Sequence, residues 1–146
     1  ERTLTASYRR YFDWQTSSLA VDYRYFWDSY SVGAHTLAMS WMLGDEAGVQ
    51  WGPMLRYYSQ RAAAFYTPWD RYDQLETIAQ SSDFRLSTFG AVSYGLKARY
   101  RIGAVQISMQ YERYDSGSGY ALSSAKTEHP GLVDFEVLSL GAEYRF

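Results

Sequence analysis

LSLGAEYRF, residues 138–146, is the stretch that decides the fold. Leu138, Leu140, Ala142, Tyr144 and Phe146 are apolar, and Ser139, Gly141, Glu143 and Arg145 stand between them. Strict period-two alternation marks a strand with two unlike faces. The last residues of a soluble domain are usually polar and frayed, whereas this segment runs apolar to an aromatic end. The same period appears upstream. Leu19, Val21, Tyr23, Tyr25 and Trp27 alternate with Ala20, Asp22, Arg24 and Phe26. Val105, Ile107, Met109 and Tyr111 alternate with Gln106, Ser108, Gln110 and Glu112. Leu86, Val92, Tyr94, Leu96, Ala98 and Tyr100 stand opposite Arg85, Ser87, Ser93, Lys97 and Arg99.

Seven segments read as strands: 2–12, 17–27, 34–43, 49–66, 84–101, 104–114 and 135–146. No long segment offers the 3.6-residue period of a helix, although 71–80 is compatible with a short helical turn. A weak repeat, YRRYFDW at 8–14 and YRYFWD at 23–28, fits a duplicated hairpin but is too short for a solenoid.

At 146 residues the chain forms one domain, 1–146. It has no cysteine, which excludes disulfides and thiolate metal sites. Its net charge of −2 argues against a nucleic-acid partner. Fifteen tyrosines and five tryptophans suit a water–apolar boundary, because each ring has an apolar body and a polar tip. Mean hydropathy is −0.40, and no run approaches the 18 apolar residues of a membrane helix. A spanning barrel keeps a low mean, since every second residue faces away from lipid.

The terminal pattern resembles the closing strand of Gram-negative outer-membrane β-barrels. In those proteins a terminal aromatic with apolar residues at alternate positions is the insertion signal. The resemblance assigns that role to Leu138, Leu140, Ala142, Tyr144 and Phe146. It also implies a barrel-assembly machinery as partner. Connection lengths agree. Short links at 13–16, 44–48 and 102–103 alternate with links at 28–33, 66–83 and 115–134. A periplasmic carboxy-terminus puts all the short ones inside and the long ones outside. The expected fold is therefore all-β: an antiparallel transmembrane meander barrel in the bacterial outer membrane. Bacterial barrels have even strand numbers, so seven strands points to the C-terminal part of a larger barrel, with an open edge at 2–12 or 135–146. The opening ERTLTASYRRYF is already strand-like, which fits a removed leader or a piece of a longer chain.

Alternation alone does not say which face meets which solvent, and a soluble lipocalin-like barrel has the same period. The aromatics Tyr8, Trp27, Trp41, Trp51, Tyr57, Tyr100 and Tyr144 decide for lipid, because large rings at strand ends form interfacial girdles but overfill a small interior. The opposite parity then lines the lumen. Its charges are the cations Arg9, Arg24, Arg56, Arg85, Lys97 and Arg99 and the anions Asp22, Glu112 and Glu143. Arg61 and Arg113 fall on the lipid parity near the outer strand ends, where they meet lipid phosphates or snorkel.

Longer runs carry a second resemblance: RYFWD at 24–28, AHTLAMSW at 34–41, LRYYSQRAAAFY at 55–66 and SDFRLSTFGAVSYGLK at 82–97. These are similar to the C-terminal half of a family of uncharacterised bacterial outer-membrane proteins known only as a domain of unknown function. That family's chains are longer than this one, and the resemblance supplies no catalytic residue.

Candidate chemistry is sparse. A lipid hydrolase needs a histidine near a serine and a carboxylate, and His35 has Asp28, Ser29 and Ser31 nearby in sequence. A rim histidine is more often merely interfacial. His129 precedes Pro130 and reads as a loop residue. Asp70, Asp73, Glu76, Asp83, Asp115, Glu128 and Asp134 are loop carboxylates able to meet cations that bridge lipopolysaccharide, yet they show no metal-site spacing. The run 116–119, SGSG, reads as a flexible tip with no phosphate-loop lysine. No catalytic residue, metal or cofactor is expected. The expected function is passive: a pore, or a scaffold of an envelope complex, in contact with outer-membrane lipid, lipopolysaccharide and other envelope proteins. The alternatives are a lipid-modifying enzyme, or an adhesin or receptor acting through 67–83 and 115–134.

Overall fold

The computed structural model describes residues 1–45, 47–68, 80–123 and 131–145. Seven antiparallel strands form one sheet: β1 (Arg2–Phe12), β2 (Ser17–Trp27), β3 (Gly33–Met42), β4 (Val49–Arg61), β5 (Phe89–Ile102), β6 (Val105–Gly117) and β7 (Phe135–Tyr144). Each pairs only with its sequence neighbours, in the order β1 to β7. Among the described residues β1 and β7 do not pair, so the sheet is open. No described helix is long and apolar enough to cross a membrane.

The short links form one end of the sheet, the turn end. There Trp14–Thr16 make a single 3-10 turn, and Ile102 pairs with Val105 across a two-residue hairpin. The other end, the loop end, carries the long connections. Register places the alternating apolar residues of the strands on one face, whereas Leu86 lies in a 3-10 turn before β5. Val21, Met39, Leu55 and Tyr94 lie in one row across β2 to β5. Leu96, Tyr111 and Leu138 lie in another across β5 to β7. All seven aromatics named above share this apolar parity.

On β3 to β6 the apolar parity is the more exposed one, whereas β1 and β7 are exposed on both parities. Leu96 is 55% exposed and Leu140 74%, whereas Ala91 and Ser93, on the other parity, are 2% and 5% exposed. A soluble sheet buries its apolar face and exposes its polar one; here the arrangement is reversed. The sheet curls toward the polar parity. A concavity of about 510 Å³ is lined by residues of that parity alone, among them Arg56, Tyr58, Ser93, Gln110, Glu112 and Tyr114. Two glycines on the concave side allow the close approach. A Cβ at Gly52 would lie 1.6 Å from the Trp41 carbonyl oxygen, and one at Gly95 1.9 Å from that of Tyr111.

At the loop end β1, β2 and β7 match the sequence expectation, and β4, β5 and β6 differ from it. β4 stops at Arg61, not 66, because the next backbone donors leave the ladder. Ala62 N–H donates to Thr88 Oγ1 at 3.0 Å, Ala63 N–H to the Leu86 carbonyl at 3.0 Å, and Ala64 N–H to that of Tyr30 at 2.9 Å. β5 begins at Phe89, not 84, since Phe84–Leu86 form a 3-10 turn capped by Asp83, whose carboxylate accepts from Arg85 N–H. β6 runs to Gly117, so Ser116 and Gly117 are strand and Ser118–Tyr120 a 3-10 turn, correcting the reading of 116–119 as a flexible tip. Ser116 N–H donates to Asp134 at 2.8 Å, and its hydroxyl to the Val133 carbonyl at 2.7 Å. The two copies of the weak repeat fall at opposite ends of the β1–β2 hairpin, the first at the turn end and the second at the loop end. The helical turn expected at 71–80 lies outside the described residues, apart from Gln80.

Candidate functional site

Two regions gather polar side chains. The first is the concave face. Arg9, Asp22, Arg24, Arg56, Lys97, Arg99, Glu112 and Glu143 all stand on the polar parity of their strands. Arg85 does not. It belongs to the 3-10 turn before β5, and its guanidinium grips Asp83 at 2.5–3.0 Å. Hydrogen bonding to that carboxylate, and its charge, hold the Arg85 guanidinium above its ordinary range. Arg85 was expected on a strand face because the alternation at 84–88 happens to match the strand period.

The charges on this face are unevenly paired. Arg9 Nη2 donates to both carboxylate oxygens of Asp22 at 2.8–2.9 Å, and Ser7 donates to the same carboxylate at 2.7 Å. Glu143 meets Arg145 at 3.3 Å, and Glu112 accepts from Gln110 at 3.3 Å. Arg24, Arg56, Lys97 and Arg99 have no carboxylate partner among the described residues. Aromatics that the charge pattern did not draw attention to also lie on this face. Tyr58 packs on Phe89 with centroids 5.6 Å apart, and Tyr114 stacks on Phe135 at 4.8 Å. They were legible as the apolar exceptions to the alternation of β4 to β7. Gln60 closes the loop end of the face by donating to the carbonyls of Arg85 and Ser87 at 2.7 and 3.1 Å.

The second region lies at the loop end of the apolar parity. His35 on β3 is in register with Tyr25 on β2 and Ser59 on β4, and Gly33 with Arg61. His35 Nδ1 is 2.8 Å from the Tyr23 hydroxyl, and its ring stacks on Tyr25 at 4.5 Å. Ser59 is 2% exposed, and its hydroxyl oxygen accepts from Leu122 N–H at 2.8 Å. The sequence neighbours of His35 do not join it. Asp28 shapes its own turn, accepting from Tyr30 N–H at 2.9 Å and Val32 N–H at 3.1 Å. The register, not sequence proximity, selects the serine that faces the histidine.

Of the two arginines on the apolar parity, Arg113 is held by Asp115 at 3.1 Å and Glu136 at 3.3 Å. Arg61 has no ion pair among the described residues. The loop carboxylates are locally engaged where they are described: Asp83 by Arg85, Asp115 by Arg113, and Asp134 by Ser116. The described residues hold no cluster of three metal-ligating side chains. Asp70, Asp73, Glu76, Glu128, His129 and Phe146 lie outside the described residues. Leu138, Leu140, Ala142 and Tyr144 stand on the apolar parity of β7.

The molecule is thus an all-β antiparallel meander with one exposed apolar face and one concave polar face. The chain belongs to the family described as protein of unknown function (DUF3570), whose model matches residues 1–130. No curated protein and no solved structure matches the chain significantly.

Proposed function

We propose that this sheet is wall of a transmembrane β-barrel in a bacterial outer membrane. Its polar parity faces the lumen and its apolar parity faces lipid. The protein works passively, as a pore or as the barrel scaffold of an envelope complex. The observation that carries this reading is the reversed burial. The apolar parity is continuous across seven strands and more exposed than the polar one on β3 to β6, far more than the scattered apolar residues of a soluble surface. The polar parity is concave and carries four cations, Arg24, Arg56, Lys97 and Arg99, without carboxylate partners among the described residues. In water the first feature is unfavourable by roughly 25 cal/mol per Å² of apolar area, and lipid removes that cost.

A barrel also resolves the open edges. β1 and β7 run in the same direction, so direct pairing between them would be parallel. An all-antiparallel closure takes an odd number of further strands and gives the even total of bacterial barrels. The enzyme reading draws on His35 facing Ser59. However, the described partner of His35 Nδ1 is a phenol, not a carboxylate, which leaves a hydrolase without its orienting group.

Single nitroxide labels from Val92 to Tyr100 in the full-length protein in lipid vesicles test the membrane reading. Labels at 92, 94, 96, 98 and 100 are expected to collide with oxygen dissolved in lipid, and those at 93, 95, 97 and 99 with a water-soluble nickel chelate. Uniform water access along both parities would overturn it.

A further inference from the structure

The loop end of the apolar parity carries a concavity of about 180 Å³, walled by Tyr25, His35, Ser59, Arg61, Leu122 and Ser123. Donors dominate its lining, and no carboxylate lines it among the described residues. Arg61 brings a guanidinium with no ion pair among the described residues. His35 has Nδ1 engaged by the Tyr23 hydroxyl. A phenol donates more readily than it accepts, so Nδ1 accepts and the ring proton sits on Nε2, which becomes a donor. Ser59 already accepts from Leu122 N–H, which leaves its own O–H to donate. Gly33 keeps the floor low. A Cβ there would stand 3.4 Å from the Tyr25 hydroxyl and 4.0 Å from Arg61 Nη2. Ser59 is fixed by the segment after β6 folding over it, so the site is assembled from distant parts of the chain.

We infer that this pocket binds a phosphate group carried by an anionic lipid. A guanidinium with two further donors, and no carboxylate beside it among the described residues, suits a phosphate oxygen cluster. The pocket opens on the apolar parity where the strands end, beside the stacked pair Tyr25–Trp27. Under the membrane reading above, on which the lipid source rests, that is the level of the headgroups. A zwitterionic headgroup would bring its own cation against Arg61, so the site discriminates in favour of net negative lipids. The aromatic pair supplies an apolar flank for the first carbons of the acyl chains.

The test uses the full-length protein in detergent micelles, titrated with phosphatidylglycerol, phosphatidylcholine and inorganic phosphate, with bound lipid counted by native mass spectrometry. The wild type is expected to prefer phosphatidylglycerol over phosphatidylcholine by about tenfold, the range of one charge-assisted contact. Arg61→Gln abolishes the preference, and Arg61→Lys restores part of it. Gly33→Val, which fills the floor against Tyr25 and Arg61 but keeps the arginine and its charge, abolishes it by steric exclusion, a different route from the arginine variants. Full retention of the preference in both Arg61→Gln and Gly33→Val would overturn the site. Displacement of phosphatidylglycerol by equimolar inorganic phosphate would overturn the lipid source and assign a soluble phosphate. The nitroxide scan along β5 reads the membrane reading separately, so a lost site and a lost barrel give different results.

Discussion

A methyl group at Gly52 has nowhere to go, since the Trp41 carbonyl lies 1.6 Å from the place it would occupy. That oxygen belongs to backbone in the neighbouring strand and moves only with the curl of the sheet. Gly52→Ala is expected to destabilise the folded state by roughly 2–3 kcal/mol, as backbone clashes in ordered strands do. Gly48→Ala, with no atom within 4 Å of the new carbon, stays within about 0.5 kcal/mol. Urea unfolding in detergent micelles measures both. At this scale the sequence was legible in part. Parity told which charged residues share a face, because it needs only the period. It could not tell that Arg85 leaves the sheet, since Asp83 captures it through a local turn that imitates alternation. Nor could it find Ser59 opposite His35, because that neighbour comes from register across two strands.

Elements end where their hydrogen bonds are redirected, and those redirections are mostly non-local. The turn ends of the strands were readable from the sequence, because two to five residues leave the chain few ways to reverse. The loop ends of β1, β2 and β7 were readable as well, but those of β4, β5 and β6 were not. Gln60 reaches carbonyls 25 and 27 residues away, and Asp134 holds Ser116 from 18 residues away. Replacing Asp134 by Ala removes that acceptor and is expected to fray β6 back toward Arg113, with faster amide exchange at 114–117 and little change at 105–112. Strand β7 supplies a second prediction. Leu138, Leu140, Ala142 and Tyr144 share one parity, and the sequence continues it to Phe146. Deleting Phe146 is expected to lower outer-membrane levels in cells while leaving refolding into detergent largely intact. Normal outer-membrane levels would refute the insertion signal.

For the whole molecule the deciding quantity is the charge balance of the concave face. On the polar parity of the strands, leaving aside Arg101 and Arg145 at strand ends, five cations (Arg9, Arg24, Arg56, Lys97, Arg99) stand against three anions (Asp22, Glu112, Glu143). Arg9 and Asp22 neutralise each other. In a narrow, dry interior the remaining cations would be too costly to leave unpaired. In a wide, wet one they stay solvated and set a positive field. If the protein conducts, it is expected to be mildly anion-selective, and reversing Arg56, Lys97 and Arg99 together shifts it toward cations. Reversal potentials in a planar bilayer under a salt gradient measure this. Cation selectivity of the unmodified protein would refute the lumen assignment, and a complete absence of conductance would favour the scaffold.

Strand order that copies chain order also dictates a timetable. Every strand finds its partner next to it in the chain, so contact order is low and pairing can proceed hairpin by hairpin. The entropic toll differs among hairpins. Residues 103–104 close β5 on β6, whereas residues 62–88 separate β4 from β5. Closure entropy grows only logarithmically, by about 0.6 kcal/mol per doubling of a loop. The tight hairpin is therefore the natural nucleus, and the β4–β5 seam the late step. That seam is also where an inserted sequence would slow assembly least, because the long loop has already incurred most of its closure cost.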